Sequence, residues 1–202
     1  MSNPVPLSFT VAITGASGAP YAVRLLQQIA AARRRISLIV SSHGLRLLST
    51  EMGIESMDGL RHAVGSNAWD DLFTVYDDAD RGAAPASGSV LSAGMVICPC
   101  SMGTVSAIAA GSSRSLIERA ADVVLKERRK LILVTRETPL SSIHLENMLK
   151  LSREGVVVLP ASPGFYHRPE SVDDLVDFIV ARVLDQMNIQ HELGKRWTPG
   201  TN

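Results

Sequence analysis

The sequence predicts an α/β protein built on an open, doubly wound, mostly parallel sheet. Apolar runs of strand length alternate with amphipathic runs of helix length along most of the chain. Several strand runs, "GMVICPC" and "VVVLP" among them, are continuously apolar, as strands covered on both faces are. The segments rich in glycine and small hydroxyl residues follow those strands directly, where open α/β sheets bind their ligands.

The elements follow in order. "LSFTVAIT" is the first strand and leads through a glycine turn into "YAVRLLQQIAAARRR". That helix sets Val23, Leu26, Gln27 and Ala30 on one stripe, flanked by Leu25 and Ile29, and its three closing arginines suit the negative end of a helix dipole. "ISLIVS" is the second strand, and "GLRLLSTEMG" a short helix stopped by Gly53. Between residues 55 and 92, "LFTVYD" reads as a strand and "DRGAAPASGSV" as a long small-residue loop, a feature uncommon in compact domains and often functional. The strand "GMVICPC" precedes a helix through "GTVSAIAAG" and a second helix, "SLIERAADVVLKERR". The strand "LILVT", the helix "SSIHLENMLKLSREG", the strand "VVVLP" and the helix "SVDDLVDFIVARVLDQM" complete the chain, the last with Ser171 as N-cap and Asp173 and Asp174 in its first turn.

With 202 residues, the chain is expected to form one domain, with residues 1–8 and 188–202 as terminal extensions. Its 20 basic and 20 acidic residues cancel, leaving no electrostatic footprint for nucleic acid or an anionic membrane. No apolar stretch approaches the roughly 18 residues that span a bilayer. "MSNPVPLSFT" has neither a basic start nor an apolar signal core, so a cytoplasmic protein is expected. The two cysteines, Cys98 and Cys100, are too few for a four-ligand zinc site and too close for an unstrained disulfide. They read as buried, reduced thiols, and no group of His, Asp or Glu has metal-ligand spacing.

The segments behind the strands are "TGASGAP", "SSH", "CPCSMGT", "TRETPLSS" and "PASPGFYHRP", and the predicted topology lets all of them converge on one crevice. In the first, Gly15 and Gly18 lack the third glycine of a dinucleotide fingerprint, and the second strand ends without a carboxylate for a ribose. A P-loop would need Gly-Lys-Ser/Thr, and a hydrolase elbow fails because position 19 is alanine. A mononucleotide or phosphate cradle remains, with Ser17 adding a hydroxyl to the N–H groups of a helix N-terminus; a tight turn with a capping serine is the plainer alternative. "CPCSMGT" repeats the pattern with Ser101 and Thr104. Arg119 and Lys126 lie two turns apart on one helix face, with Asp122 between them as a possible ion-pair partner. Arg182 stands in the apolar setting "FIVARVLD", where it snorkels or meets an anion. Arg136 and Glu137 stand at the mouth of "LILVT", with Glu137 a candidate acid–base group. Tyr166 and His167 follow the last strand.

Taken together, "TGASGA", "MVICPCSMGT", "LIERAADVVLKERR", "LVTRETPLSSIHLENMLKLS" and "PASPGFYHRP" resemble the flavin prenyltransferases of the UbiX type, over about residues 9–197. The resemblance implies a flavodoxin-like, Rossmann-like three-layer fold in a homo-oligomer, commonly a dodecamer, with active sites between subunits. It implies transfer of a dimethylallyl group from dimethylallyl monophosphate to N5 and C6 of reduced FMN, without a metal. The prenylated FMN serves UbiD-type decarboxylases. By the same resemblance Gly15, Ala16, Ser17, Ser41, Ser101, Thr104 and Arg136 hold FMN, with Met102 and Gly103 in the same turn. Arg119, Lys126, Tyr166 and Arg182 grip the prenyl phosphate, Lys126 from across an interface. Glu137 moves protons near the flavin and Ser17 relays them. Some members carry threonine where Met102 stands, and others a tryptophan near the place of Arg81.

Three other readings remain, two of them decarboxylases and the third, a carrier, of a different class. An FMN-dependent cysteine decarboxylase would carry a catalytic histidine and a loop of the "PxMNxxMW" kind, where this chain has "HLENML". A direct aromatic-acid decarboxylase would need residues to hold a carbanion. A non-catalytic FMN carrier would need the cradle residues but not Arg119, Lys126, Arg182 and Glu137 together.

Overall fold

A computed structural model describes residues 7–194. Among these residues, six strands form one parallel sheet: β1 (Phe9–Ile13), β2 (Ile36–Val40), β3 (Phe73–Tyr76), β4 (Gly94–Cys100), β5 (Lys130–Thr135) and β6 (Val157–Pro160). Their spatial order is β3-β2-β1-β4-β5-β6. The expected mostly parallel sheet is thus wholly parallel, and its winding reverses between β1 and β4, the place where such sheets leave a crevice.

Among the described residues, eight α-helices cover it: α1 (Ala19–Ala31), α2 (Ser42–Met52), α3 (Met57–Val64), α4 (Ser66–Leu72), α5 (Met102–Ala109), α6 (Leu116–Lys126), α7 (Ser142–Arg153) and α8 (Val172–Gln186). The period-2 alternation of buried strand residues makes the sandwich. Val11, Val96, Ile132 and Val134 face one layer, with Leu25, Leu26, Leu48, Leu60, Val180 and Leu184 of the helices. Ala12, Met95, Ile97, Leu131 and Leu133 face the other, with Val105, Leu116, Ala120 and Val124. A register shift between Ile97 and Cys100 turns Cys100 to the face opposite Cys98. Both cysteines are free and buried, and burial pushes both thiols well above their ordinary range, which leaves them unreactive.

Several expectations change. The chain from residue 57 to 72 forms α3 and α4, which the sequence reading did not resolve, and only four residues of the expected third strand pair, along one edge of the sheet. The first helix stops at Ala31, so Arg33, Arg34 and Arg35 follow it instead of completing its last turn. Arg33 takes a left-handed conformation (φ 54°) and its N–H donates to Ala30 O, while Arg34 N–H donates to Ile29 O. This pair of bonds closes the helix as a Schellman turn. Gln27, on the expected apolar stripe, donates its amide to Ala63 O at 2.8 Å and so ties α1 to α3. Ser171 caps α8 as expected, and Asp174 completes the box by accepting from the Ser171 N–H. Of the two proposed terminal extensions, residues 1–6 and 195–202 lie outside the described residues, whereas Ile189, within the second, is buried in the core.

Candidate functional site

The strand ends at the switch point are stitched together by Thr14. Its buried hydroxyl donates to Pro99 O at 2.9 Å and accepts from Ser101 N–H at 2.9 Å, which binds the end of β1 to the end of β4. Ser101 then caps α5 by accepting from Thr104 N–H, and its Oγ lies 3.0 Å from Thr104 Oγ1. Ser41 caps α2 in the same manner, accepting from Gly44 N–H at 3.0 Å. Close approach shapes the floor: a Cβ on Gly15 would lie 2.6 Å from His43 Cβ, so a side chain there would push β1 and α2 apart.

These elements enclose a cleft of about 390 Å³, lined by Thr14, Gly15, Ser41, Ser42, His43, Asp78, Ser101, Thr104, Ser115, Ile117 and Glu118. That size falls in the usual range for small-molecule sites, about 300–1,000 Å³. Its donors are hydroxyls and the early N–H groups of α2 and α5, which helices leave without intrahelical partners. The two carboxylates are already engaged. Asp78 accepts from Ile117 N–H at 2.9 Å, and Glu118 holds Arg114 and caps its N–H. Burial raises the Glu118 carboxyl, but the Arg114 hydrogen bonds and charge bring it below its ordinary range.

The first glycine loop is not the open anion cradle expected from its sequence. Gly18 (φ 128°) is the N-cap of α1 and offers no side chain, and Ser17 does not cap the helix. Instead Glu51, near the end of α2, accepts from Gly18 N–H at 2.9 Å and Ala19 N–H at 2.8 Å. Burial pushes the Glu51 carboxyl up. The Gly18, Ser17 and Ala19 hydrogen bonds and the Arg136 charge outweigh it, so the group sits below the ordinary carboxylate range. A helix N-terminus that expects an anion has found one within its own chain. The structure therefore gathers Ser17, Glu51 and Arg136 around the start of α1. Arg136 Nε is buried and, among the described residues, makes no hydrogen bond.

The remaining expected residues are placed as follows. Met102 packs its side chain into the core while Gly103 lies beside Ser101, so this turn presents main chain. Glu137 is exposed beyond β5 and accepts from Thr138 N–H at 3.1 Å. Tyr166 and Arg182 line a second cleft of about 620 Å³ with His167, Phe178, Asp177 and His191. Arg119 and Lys126 line neither cleft. Arg119 is paired with Asp122 at 2.7 Å and Lys126 with Glu127, so Asp122 does not bridge the two cations as the sequence had allowed. Arg182 is paired with Asp185. The four cluster members are thus divided between two parts of one chain.

Sequence reasoning missed Glu51, Asp78, Ser115 and Glu118, and it included Thr14 in "TGASGAP" without finding its role. Nothing in "LSTEMG" marks Glu51, because its partners lie about 33 residues earlier and are joined to it only by the packing of α2 beside α1. Ser42 and His43 were legible, as members of the strand-end segment "SSH".

An all-parallel sheet with hydroxyl and amide donors at its switch point is the arrangement in which many α/β proteins bind nucleotides. The Flavoprotein family matches residues 3–184. A flavin prenyltransferase UbiX of Halalkalibacterium halodurans is 50% identical over 196 residues, covering 94% of this chain and 92% of that protein. A solved structure of AnUbiX (PadA1) with FMN and dimethylallyl pyrophosphate superposes with a TM-score of 0.86 at 36% identity, covering 96% of this chain and 100% of that one. A dodecameric FMN-dependent UbiX-like decarboxylase from Escherichia coli O157:H7 gives 0.88 at 43% identity, covering 95% and 100%. The chain belongs to the UbiX family of flavin prenyltransferases.

Proposed function

We propose that this protein transfers a dimethylallyl group from dimethylallyl monophosphate to N5 and C6 of reduced FMN, releasing phosphate, and that a UbiD-type decarboxylase uses the prenylated FMN. The observation that carries the reading is the hydroxyl- and amide-lined cleft at the β1–β4 switch point, in a chain of this family. Its donor set suits FMN: Gly15, Ser41, Ser101 and Thr104 border it, and Gly15 leaves room where a Cβ would meet His43. Arg136, with its buried Nε unpartnered, supplies a further donor on the β5 side. When bound, reduced FMN supplies the nucleophilic N5 and C6 positions.

The chain's own residues do the rest. Allylic phosphate leaves only when its charge is neutralised, and Arg119, Lys126, Tyr166 and Arg182 have the donors to do that. The three cations are held by Asp122, Glu127 and Asp185 in partly exposed pairs. Such pairs are worth no more than about 1 kcal/mol, so a phosphate dianion displaces the carboxylates at small cost. Ser17, beside Glu51, relays a proton between flavin and phosphate, and Glu137 takes or delivers the second proton of ring closure. The division of the cluster within one chain fits a site completed between subunits of a homo-oligomer, for which a dodecamer is the expected form. Among the described residues no helix is long and apolar enough to cross a membrane. The free, buried thiols suit a reducing, cytoplasmic setting.

A non-catalytic FMN carrier draws support from the same ion pairs, since each cation is satisfied without substrate. One experiment separates the readings: anaerobic incubation of the protein with reduced FMN and dimethylallyl monophosphate, followed by mass measurement of the flavin. A gain of one isoprenyl unit is expected, and an unchanged flavin sinks the transferase reading. In the same assay Glu137→Gln should bind FMN as the parent does and form product more slowly.

A further inference from the structure

The loop after β6 is pinned by hydrogen bonds mainly at its ends. Ala161 N–H donates to Thr135 O and Ser162 N–H to Pro160 O at its start, and Glu170 N–H donates to Asp174 at its close. Its middle is held by rings. His167 lies flat on Phe178 of α8, with centroids 5.2 Å apart and planes 6° from parallel. Tyr166 stands edge-on to both, 5.5 Å from His167 at 81° and 5.9 Å from Phe178 at 78°. All three separations fall within the roughly 4.5–7 Å of favourable ring pairs.

Both ring nitrogens of His167 are buried and, among the described residues, neither makes a hydrogen bond. A buried polar atom without a partner is destabilising, so hydrogen bonding is not what keeps this imidazole in place. With its nitrogens covered, His167 offers the second cleft a flat carbon surface instead of a donor. Tyr166, by contrast, is 74% exposed. Gly164 keeps its place open: a Cβ there would lie 2.8 Å from Tyr166 Cε1 and 3.4 Å from Phe178 Cζ. Phe178 and Arg182 are one turn apart on the same face of α8. The stack therefore joins the loop that carries Tyr166 to the stretch of helix that carries Arg182, and both side chains border the second cleft.

From these contacts we infer that His167 is a positioning residue for Tyr166: its ring, stacked on Phe178, is a plate that aims the Tyr166 hydroxyl at the prenyl phosphate. The inference rests on the reading of Tyr166 as a phosphate ligand, and it assigns the role to the flat ring and not to its nitrogens. Without the plate, an exposed phenol must be ordered anew each time substrate binds, which weakens binding. The expected signature is weaker use of the prenyl substrate with FMN binding intact.

Steady-state kinetics with dimethylallyl monophosphate, beside FMN binding, test this. His167→Phe keeps a flat ring and removes the unpaired nitrogens, and it should hold KM within about threefold of the parent. His167→Asn keeps hydrogen-bonding groups but no ring, and it should raise KM about tenfold. Gly164→Ala should do the same, since its methyl displaces Tyr166 at a position without left-handed backbone. In all three the FMN dissociation constant should stay within about twofold. Where Tyr166→Phe has already removed the hydroxyl, His167→Asn should add less than about twofold. A parental KM in His167→Asn overturns the inference, and so does equal impairment of His167→Phe, which would put the role in the nitrogens. Full additivity with Tyr166→Phe, or loss of FMN affinity in step with KM, overturns it as well. Should His167→Asn not fold, Gly164→Ala decides, and a parental KM there rejects the plate. If the parent makes no prenylated flavin, or Tyr166→Phe keeps the parental KM, the reading of Tyr166 falls and this inference with it. If Tyr166→Phe is impaired and His167→Asn is not, only the inference falls.

Discussion

A carboxylate resting on a helix N-terminus competes with any other anion offered to the same N–H groups, and Glu51 does this at α1. Its carboxyl is held below its ordinary value of 4.5, because hydrogen bonds and the Arg136 charge exceed the effect of burial. The stability it contributes is therefore present in full above pH 4.5 and is lost as pH falls through the lower folded value. Glu51→Gln should flatten the acid limb of the stability curve below pH 4.5, read from urea midpoints across that range; a limb as steep as the parent's would show that other carboxylates account for it. Thr14 makes a second prediction at this scale. Thr14→Val has nearly the same shape but leaves the buried Ser101 N–H without its partner, while Pro99 O keeps the backbone N–H of residue 14. A loss of about 1–3 kcal/mol is expected in urea denaturation. Neither role was legible in the sequence: Thr14 reads as the last residue of an apolar strand and Glu51 as the polar face of a short helix. Each acquires its function from a partner more than thirty residues away.

Among the elements, the strands and most helices were legible because burial on both faces writes continuous apolar runs and helical stripes. Helix stops were legible only where glycine supplies them, as at Gly53 and Gly155. Arg33, Arg128 and Asn188 make the same left-handed turn without glycine, and no residue type announces it. This explains why the first helix was read through to Arg35 when it ends at Ala31. A β-carbon in that conformation costs roughly 1–2 kcal/mol, set against the extra chain entropy of glycine at about 0.5–1 kcal/mol. Arg128→Gly should accordingly stabilise the protein by about 0.5–1 kcal/mol, its exposed pair with Glu154 contributing little. A thermal midpoint raised by a few degrees checks it, and an unchanged or lower midpoint would mean that the Arg128 side chain contributes more than its geometry suggests.

For the whole molecule, α7 leaves Leu145 and Leu149 exposed one turn apart on one face and Ile143 exposed on another, apolar side chains of the kind that oligomers cover. If subunits assemble through it, the double substitution Ile143→Glu and Leu149→Glu should shift the protein to smaller species in sedimentation velocity, with prenylation falling at least about tenfold as the cations are parted. An assembly unchanged in size would exclude that helix. By itself the sequence determined the class of sheet, the strand ends that line the cleft and the family, because buried strands and glycine-hydroxyl turns are local patterns that survive in one dimension. Only the tertiary structure decided what each polar group meets. It seated Glu51 on the loop expected to hold a phosphate, and separated Arg119 and Lys126 from Tyr166 and Arg182. Those outcomes depend on contacts between segments distant in the chain, whose energies become fixed only when the layers pack.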